Sequence, residues 1–280
     1  MSETMQRRRL RSALYLPASN ARALAKARTL PCDMVILDLE DAVSPEAKDA
    51  AREAAVSAVR EGGFGERRLL VRTNGPDTEW WEADIAALGE LDVALLLPKV
   101  SSAMMLEASA ARLPGRDLWA MIETPAAILA IAEICGSAAR LPLRGIVIGT
   151  NDLAQDLGCR LGRSRRAIEG ALTLSVCAAR ANGIAVLDGV FNDLDDEDGF
   201  EREADEGAEF GFDGKTLIHP RQIEPCNRAF SPSEDEIAWA RRIVEAFSAP
   251  ENAGRNAIKV DGRMVERLHL VGAGRVLARA

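Results

Sequence analysis

Cysteine is scarce in this chain, and its positions show none of the spacings that bind metals or form redox pairs. The 280 residues include five cysteines, an odd number, and no C-x-x-C pair occurs. Neither a disulfide framework nor a structural zinc site is therefore indicated. We expect free, buried thiols, typical of a reducing cytoplasm, at all five positions: Cys32, Cys135, Cys159, Cys177 and Cys226.

An excess of positive charge and long apolar runs are also lacking. The formal net charge is -8 and the pI is near 5.1, which argues against a nucleic-acid or anionic membrane surface. The basic run at residues 7–9 is followed by an apolar stretch at residues 13–17, which is too short for a signal peptide or a membrane span. We expect a cytoplasmic protein without nucleic-acid or membrane partners.

Two cofactor motifs are missing as well. No Gly-rich fingerprint follows the first predicted strand, as a doubly wound dinucleotide-binding sheet would require. The acid-rich segment at residues 192–206 lacks the spacing of a calcium-binding loop. We predict that this segment is a solvated loop that leads into a helix.

Eight short apolar runs, by contrast, alternate with stretches of helical period, and hydrophobic residues make up 48% of the chain, enough for a full core. Polar or charged residues follow nearly every run. This pattern predicts an α/β fold, a (β/α)8 TIM barrel with its active rim at the carboxyl ends of the strands, and a doubly wound open sheet is the alternative. The predicted strands are residues 14–16, 34–38, 69–71, 93–97, 118–122, 146–149, 184–187 and 214–217.

The last part of the chain lies outside this count. We predict a barrel domain over residues 1–248 and a C-terminal extension over residues 249–280. The extension is predicted to be a linker followed by a short strand or helix, which could fold over a rim or over a neighbouring subunit.

Two carboxylates follow neighbouring runs in the middle of the chain. Glu123 comes directly after residues 118–122, and Asp152 follows residues 146–149. If the two strands are adjacent in a parallel sheet, about 4.8 Å apart, both side chains leave the same rim. Such carboxylates repel unless a cation or a proton lies between them, and Mg²⁺ is commonly held by one or two carboxylates. We predict a metal site; the alternative is two helix starts, with Glu123 as a first-turn acid and Asp152 as an N-cap.

A second group of charges follows the second and third strands. Asp38, Glu40 and Asp41 lie at the end of the second strand, and Arg72 closes the third. Because a buried carboxylate needs partners, we expect the backbone or an arginine to satisfy Asp38. Glu40 and Asp41 are placed to reach a metal-bound water or a cation at the rim. Arg72 is predicted either to pair with these acids or to bind an anionic ligand, and the two roles are compatible.

The first predicted helix begins after the first strand, with Ser19 or Asn20 as its cap. A helix N-terminus at the end of a strand can hold a phosphate with help from Arg22, and a solvated basic helix face is the alternative. Lys99, after the fourth strand, is predicted to form an ion pair rather than a Schiff base.

Eight stretches between residues 11 and 247 carry a resemblance to known proteins. They are RSALYLPASNAR, VILDLEDAV, LLVRTN, LLLPKV, MIETP, GTNDLAQDLG, AVLDGV and GFDGKTLIHPRQIEPCNRAFSPS. In content and order they resemble the HpcH/HpaI aldolase and citrate lyase superfamily, specifically the citrate lyase beta-subunit-like CoA ester lyases. The resemblance implies a barrel, in a homotrimer or a dimer of trimers, that uses Mg²⁺. It implies that C–C bonds are cleaved or formed in 3-hydroxyacyl thioesters such as malyl-CoA or citramalyl-CoA, with acetyl-CoA and a 2-keto acid as the products or substrates.

The resemblance also implies roles for the residues at the strand ends. By position, Glu123 and Asp152 match the metal ligands of the family, in agreement with the argument from neighbouring strands. Arg72 matches the arginine that binds the keto-acid oxygens and the developing thioester enolate. Glu40 and Asp41 match acidic residues that line the site.

The chain departs from the family at two positions. Ala18 stands where the family commonly has Gly, in the loop whose Asn20 and Arg22 resemble its contact to a CoA phosphate. Glu266 replaces the aspartate of a D-G-x-M-V-D segment, the acid/base that an adjacent subunit is proposed to supply. Because a misplacement of about 1 Å can cost about a hundredfold in rate, the role of Glu266 is retained, retuned for another substrate, or lost.

Two other functions compete with a CoA ester lyase. A class II aldolase acting on free 2-keto acids is expected to use a histidine base near the second strand, but the two histidines of this chain are His219 and His269. The other alternative is a non-catalytic protein, or a subunit of a complex, that binds CoA or acyl thioesters.

Overall fold

Eight parallel strands close into a barrel in the computed structural model, which describes residues 9–162 and 164–280. Strands that follow each other in the chain are neighbours, and the last pairs with the first. The predicted (β/α)8 barrel is confirmed, and the open sheet is wrong. The strands are β1 Ser12–Pro17, β2 Met34–Asp38, β3 Arg68–Arg72, β4 Ala94–Leu97, β5 Leu118–Ile122, β6 Leu143–Ile148, β7 Ala185–Asp188 and β8 Gly214–Leu217.

Helices connect the strands and follow the barrel. The acid-rich segment at residues 192–206 agrees only in part with the prediction, because the loop ends at Asp196, which caps a helix that begins at Glu197 and takes up the rest of the segment. Among the described residues, no helix has the combined length and apolar character that a membrane span needs. Most of the basic run at residues 7–9 lies outside the described part of the chain. The helices are α1 Ala21–Ala27, α2 Lys48–Glu61, α3 Trp81–Leu88, α4 Ala103–Arg112, α5 Pro125–Leu129, α6 Ile131–Gly136, α7 Thr150–Asp156, α8 Glu169–Ala181, α9 Glu197–Phe210 and α10 Ile223–Ala229.

The barrel interior is a packed apolar core rather than a pore. Alternate residues of each strand point inward, since successive side chains of a strand face opposite sides. Trp119 is the largest of the fully buried side chains, and a Cβ at Gly145 on the adjacent strand would come within 2.4 Å of its ring. The bare glycine therefore makes room for the indole. The core cluster is Ala13, Met34, Ile36, Leu70, Leu96, Trp119, Met121, Val147 and Leu187.

The cysteines agree only in part with the sequence prediction. All five are free thiols. Cys32, Cys135 and Cys226 are buried, but Cys159 is partly exposed and Cys177 is exposed. The expectation that all five are buried is therefore wrong for the last two, because they lie after α7 and on the outward face of α8.

Contacts within the chain divide it into two compact units, and the barrel unit is Leu10–Asn227. The C-terminal unit, from residue 228, contains α11 Glu234–Ser248, the antiparallel pair β9 Ala257–Val260 and β10 Arg263–Glu266, and α12 Arg267–Leu277. It has an apolar core of its own, to which α11 contributes. The lid function of the extension, and its start at residue 249, stay predictions.

Candidate active site

A cavity of about 280 Å³ opens at the carboxyl ends of the barrel strands. Active sites lie at this face in TIM-barrel enzymes, since the loops after the strands converge there. The lining combines carboxylates with one arginine, one tyrosine and one thioether. These residues are Asp38, Asp41, Glu123, Asp152, Arg72, Tyr15 and Met121.

Glu123 follows β5 directly, and only 2% of its surface is exposed. Its Oε1 accepts a hydrogen bond from the backbone N–H of Lys99 at 2.6 Å, and Lys99 has a left-handed backbone with φ of 53°. Gly149 lies against the same side chain, where a Cβ would come within 2.5 Å of Glu123 Cβ and Oε2. The strained Lys99 and the bare Gly149 therefore hold the carboxylate in one orientation.

Asp152 lies in the first turn of α7, and its side chain is 38% exposed. Lys99 Nζ lies 3.6 Å from its Oδ2, so the predicted ion pair of this lysine is confirmed. The cap of α7 is Gly149, and Glu123 precedes Thr124, which caps α5. Asp152 is therefore a first-turn acid and not the predicted N-cap, and Glu123 is not a first-turn acid.

The two carboxylates face one cavity because β5 and β6 are adjacent, with Ile122 opposite Ile148. Burial, opposed by the Lys99 N–H, raises the pKa of Glu123 to about 7, and the charge of Asp152 acts in the same direction as burial.

Two acids that disfavour each other's charge are a suitable donor set for Mg²⁺, which takes one or two carboxylates and completes its shell with water and ligand oxygens. Within residues 9–162 and 164–280, no three Asp, Glu, His or Cys side chains are grouped around a metal position. The residues present therefore fit a hard divalent ion with an open shell and not a closed structural site.

Arg72 closes β3 and is surrounded by carboxylates. Its Nε and Nη2 donate to Asp38 at 2.7 and 2.6 Å, and its Nη1 lies 2.8 Å from Glu40 and 3.2 Å from Asp41. Asp38 also accepts hydrogen bonds from the backbone N–H groups of Glu40 and Ala42, as predicted. The predicted pairing of Arg72 with the acids is confirmed. Arg72 also lines the cavity, where an anionic ligand could reach it, and that contact stays a prediction.

Lys48 fixes the backbone of the loop that carries Glu40 and Asp41. The Nζ of this buried lysine donates to the backbone carbonyls of Leu39 and Glu40 at 2.7 and 2.8 Å. Burial raises the pKa of Glu40 to about 8 in spite of the nearby Arg72. Sequence reasoning did not identify Lys48, whose place in a helix gave no sign that it turns back to the rim.

A second buried cluster of charge was also missed from the sequence. Lys215, in β8, has no exposed surface. Its Nζ donates to Asp188 at 3.2 Å, to Glu203 at 2.7 Å and to the carbonyl of Gly189 at 2.6 Å. The sequence did contain a signal for this cluster. Lys215 lies inside β8, and the preceding strand, β7, ends in Asp188. Its contact to Gly189 holds the start of the loop after β7.

Arg165 completes this second cluster. It donates from Nη1 to both oxygens of Asp188 at 2.7 Å and from Nε to Glu206 at 2.7 Å. Complete burial alone would raise the pKa of Asp188, but Lys215 and Arg165 hold it below its ordinary value. The cluster is therefore internally satisfied.

The remaining predicted site residues lie elsewhere. Asn20 caps α1, since its Oδ1 accepts a hydrogen bond from the N–H of Ala23 at 3.0 Å, and Arg22 is exposed on the same turn. Glu266 ends β10 in the C-terminal unit, and its N–H donates to His269 Nδ1 at 2.9 Å. The predicted helix cap by Asn20 is confirmed. The contact of Asn20 and Arg22 to a CoA phosphate and the acid/base role of Glu266 stay predictions.

Comparisons with known proteins agree with the resemblance seen in the sequence. The family model described as HpcH/HpaI aldolase/citrate lyase matches residues 11–220. The chain is 48% identical over 271 residues to a (3S)-malyl-CoA thioesterase of Cereibacter sphaeroides, a match that covers 96% of this chain and 94% of the relative. It is 34% identical to the citrate lyase subunit beta of Escherichia coli, with 100% and 97% covered.

A solved structure supports the same likeness at the level of the fold. The protein CitE from Mycobacterium tuberculosis, in complex with magnesium, acetoacetate and coenzyme A, superposes with a TM-score of 0.80. The two sequences are 33% identical, and the match covers 96% of this chain and 97% of that chain.

Proposed function

The chain belongs to the HpcH/HpaI aldolase/citrate lyase family, and on that premise we propose that it is a Mg²⁺-dependent enzyme acting on malyl-type 3-hydroxyacyl-CoA esters. Its reaction is cleavage, or the reverse formation, of the C–C bond between the hydroxyl-bearing carbon and the thioester arm. The products of cleavage are acetyl-CoA and a 2-keto acid. The observation that carries the proposal is the pair Glu123 and Asp152 on one cavity beside Arg72.

The cofactor and the ligands are supported by the solved relative, whose complex contains magnesium, acetoacetate and coenzyme A. In this chain Glu123 and Asp152 would hold the ion. When bound, Mg²⁺ supplies Lewis acidity to a hydroxyl and a carboxylate of the substrate. A class II aldolase on free 2-keto acids and a non-catalytic CoA-binding protein are less well supported, because the first needs a different base and the second needs no carboxylate pair.

Cleavage requires a base, a group that stabilises the developing negative charge, and residues that hold the charged side chains in position. A base takes the 3-hydroxyl proton, the C–C bond breaks, its electrons pass to the thioester as an enolate, and a proton then returns to the enolate carbon to give acetyl-CoA. Arg72 stabilises the negative charge where it forms. Glu40 and Asp41 orient Arg72, and the strained Lys99 backbone fixes the orientation of Glu123, which would hold the ion.

A second candidate reaction is hydrolysis of the thioester, and the 48% identity to a (3S)-malyl-CoA thioesterase favours it. In that case water attacks the thioester carbonyl, the C–S bond breaks, and the free hydroxy acid and CoA leave. The hydroxy-acid end of the substrate would occupy the same carboxylate pair. The two candidates differ in the bond that breaks and in the water molecule that hydrolysis consumes.

Product analysis separates the candidates. The chain is incubated with malyl-CoA or citramalyl-CoA, with Mg²⁺ or with EDTA, while keto acid is followed with phenylhydrazine and free thiol with a thiol reagent. C–C cleavage releases glyoxylate or pyruvate and no thiol, whereas hydrolysis releases thiol and no keto acid. If neither product appears with Mg²⁺, the proposed function is wrong.

Glu266 is proposed as the acid/base, supplied by an adjacent copy of the chain in a trimer. If its extra methylene misplaces the carboxylate, Glu266→Asp should raise the rate of malyl- or citramalyl-CoA cleavage by about ten- to a hundredfold. An unchanged rate would remove the idea that the extra methylene misplaces the carboxylate. Asn20 and Arg22 are proposed to contact a CoA phosphate, which predicts a higher KM for the CoA ester in an Arg22→Ala variant with kcat unchanged.

A further inference from the structure

Two hydrogen-bond donors in the cavity converge on one sulfur atom. The hydroxyl of Tyr15 donates to Met121 Sδ at 3.7 Å, and Arg72 Nη1 donates to the same sulfur at 3.7 Å. All three residues line the cavity. A thioether is a weak acceptor, so the Tyr15 hydroxyl is not used at full strength in this arrangement. Arg72 Nη1 also pairs with Glu40 and Asp41.

Tyr15 is fixed in place by the barrel. It lies in β1 opposite Ile36 of β2 and packs against the core cluster. The guanidinium carbon of Arg72 lies 5.0 Å from the centre of its ring, a cation–π distance that holds the two side chains together. Tyr15 is also the only tyrosine in the chain.

The other ionisable groups around Tyr15 are mostly acids. Asp38, Glu40 and Glu123 all act on its hydroxyl electrostatically, and Arg72 opposes them. Burial, the strongest influence, raises the pKa of Tyr15 far above its ordinary value. The phenol is therefore a donor and not a base at any physiological pH.

We propose that the Tyr15 hydroxyl, together with Arg72, donates a hydrogen bond to the carbonyl oxygen of the substrate thioester, replacing Met121 Sδ as the acceptor. Negative charge develops on this oxygen whichever bond breaks, as an enolate in C–C cleavage or as a tetrahedral oxyanion in hydrolysis. Fixed donors directed at such an oxygen are among the strongest contributions to catalysis. The inference rests on the proposed function in requiring a thioester substrate, but it does not depend on which of the two reactions occurs.

The test is Tyr15→Phe, which removes only the hydroxyl and keeps the ring beneath Arg72. Loss of one oxyanion donor lowers kcat by about a hundredfold or more. KM should change little, because the bond is strongest in the transition state. A kcat within about threefold of the unmodified chain, or a raised KM with unchanged kcat, would overturn the inference.

A matched control deletes another buried hydroxyl near the site. Thr73 follows Arg72, has no exposed surface, and its Oγ1 has no hydrogen-bond partner among the described residues. Thr73→Val should therefore leave kcat unchanged and the thermal midpoint equal or higher. If Tyr15→Phe and Thr73→Val have the same effect on kcat, Tyr15 has no role beyond packing.

A second measurement needs no substitution that risks the fold. The single tyrosine is labelled as 3-fluorotyrosine, so that one ¹⁹F resonance reports on position 15. We expect it to shift when Mg²⁺ and an acetyl-CoA analogue with CH₂ in place of the thioester sulfur are added. No shift, with analogue binding verified by calorimetry, would contradict the inference.

Failure of the inference is distinguishable from failure of the proposed function. An unmodified chain that turns over no malyl-type ester removes the proposed function before any variant is compared. An active unmodified chain with an equally active Tyr15→Phe variant removes the role of the hydroxyl alone.

Discussion

Two clusters of charge lie at the carboxyl ends of the barrel strands, and they differ in how well their charges balance. The rim cluster has five carboxylates and two cations: Asp38, Glu40, Asp41, Glu123, Asp152, Arg72 and Lys99. The β8 cluster has three carboxylates and two cations: Asp188, Glu203, Glu206, Arg165 and Lys215.

The difference in balance appears in the pKa values. In the β8 cluster the two cations outweigh burial and lower the pKa of Asp188. In the rim cluster burial prevails, so the pKa of Glu123 is raised to about 7 and that of Glu40 to about 8. A closed cluster that is more nearly balanced suits a structural role, whereas a cluster with a larger surplus of carboxylates beside a cavity is suited to receive a cation.

The largest expected effect concerns the rim cluster. Glu123→Gln should lower the Mg²⁺-dependent kcat/KM by about a thousandfold, because metal stabilisation of several kcal/mol is lost at about 1.36 kcal/mol per tenfold. In EDTA the free energy of unfolding should not fall, since the substitution removes a buried charge that Asp152 repels. Steady-state kinetics and urea unfolding measure the two quantities.

Asp117→Asn is the control for that prediction. Asp117 is half-exposed and pairs with Arg144 at 2.7 Å, away from the cavity. The variant should keep its activity and lose less than about 1 kcal/mol of stability. Full activity in Glu123→Gln would remove the metal site and, with it, the distinction between the clusters.

The β8 cluster should respond in the opposite way. Lys215→Met leaves Asp188 buried with one cation fewer, so the free energy of unfolding should fall by about 3–5 kcal/mol. Guanidinium chloride denaturation measures the loss. Arg112→Met, which breaks an exposed pair with Glu82 at 2.8 Å, should cost less than about 1 kcal/mol. Equal, small losses in the two variants would show that the β8 cluster is not structural.

The fold was largely accessible from the sequence because barrel strands are short, buried and apolar. The predicted bounds of β2, β5 and β8 agree with the structure. The start of β6 was missed because exposed Arg144 and Gly145 interrupt its apolar run, and the reason for the glycine is Trp119 on the neighbouring strand. That contact depends on the register of two strands, which periodicity alone does not give.

Residues of the candidate site could be predicted from the sequence only where they follow strand ends. Glu123, Asp152 and Arg72 were found in this way, since parallel strands deliver such residues to one rim. Lys48 and Lys215 were not, because each reaches its partners through the packing of a helix or the outward face of a strand. The catalytic prediction for Tyr15 needed the direction of its side chain, which the structure supplies.

The smallest of the three effects tests how the rim cluster is positioned. Gly149→Ala would place a Cβ within 2.5 Å of Glu123 Cβ and Oε2, so the carboxylate must move. Displacing a residue that orients a metal ligand typically costs about 10- to 100-fold in metal affinity. Titration with Mg²⁺ under calorimetry measures this loss.

Gly170→Ala is the matched control for the same change of side chain. Gly170 lies in α8, and a Cβ there would meet nothing within 4 Å. That variant should bind Mg²⁺ normally and gain about 0.4–1 kcal/mol of stability, because alanine restricts the unfolded chain. An unchanged Mg²⁺ affinity in Gly149→Ala would mean that the orientation of Glu123 is not what the ion requires, and the rim cluster would then differ from the β8 cluster in charge alone.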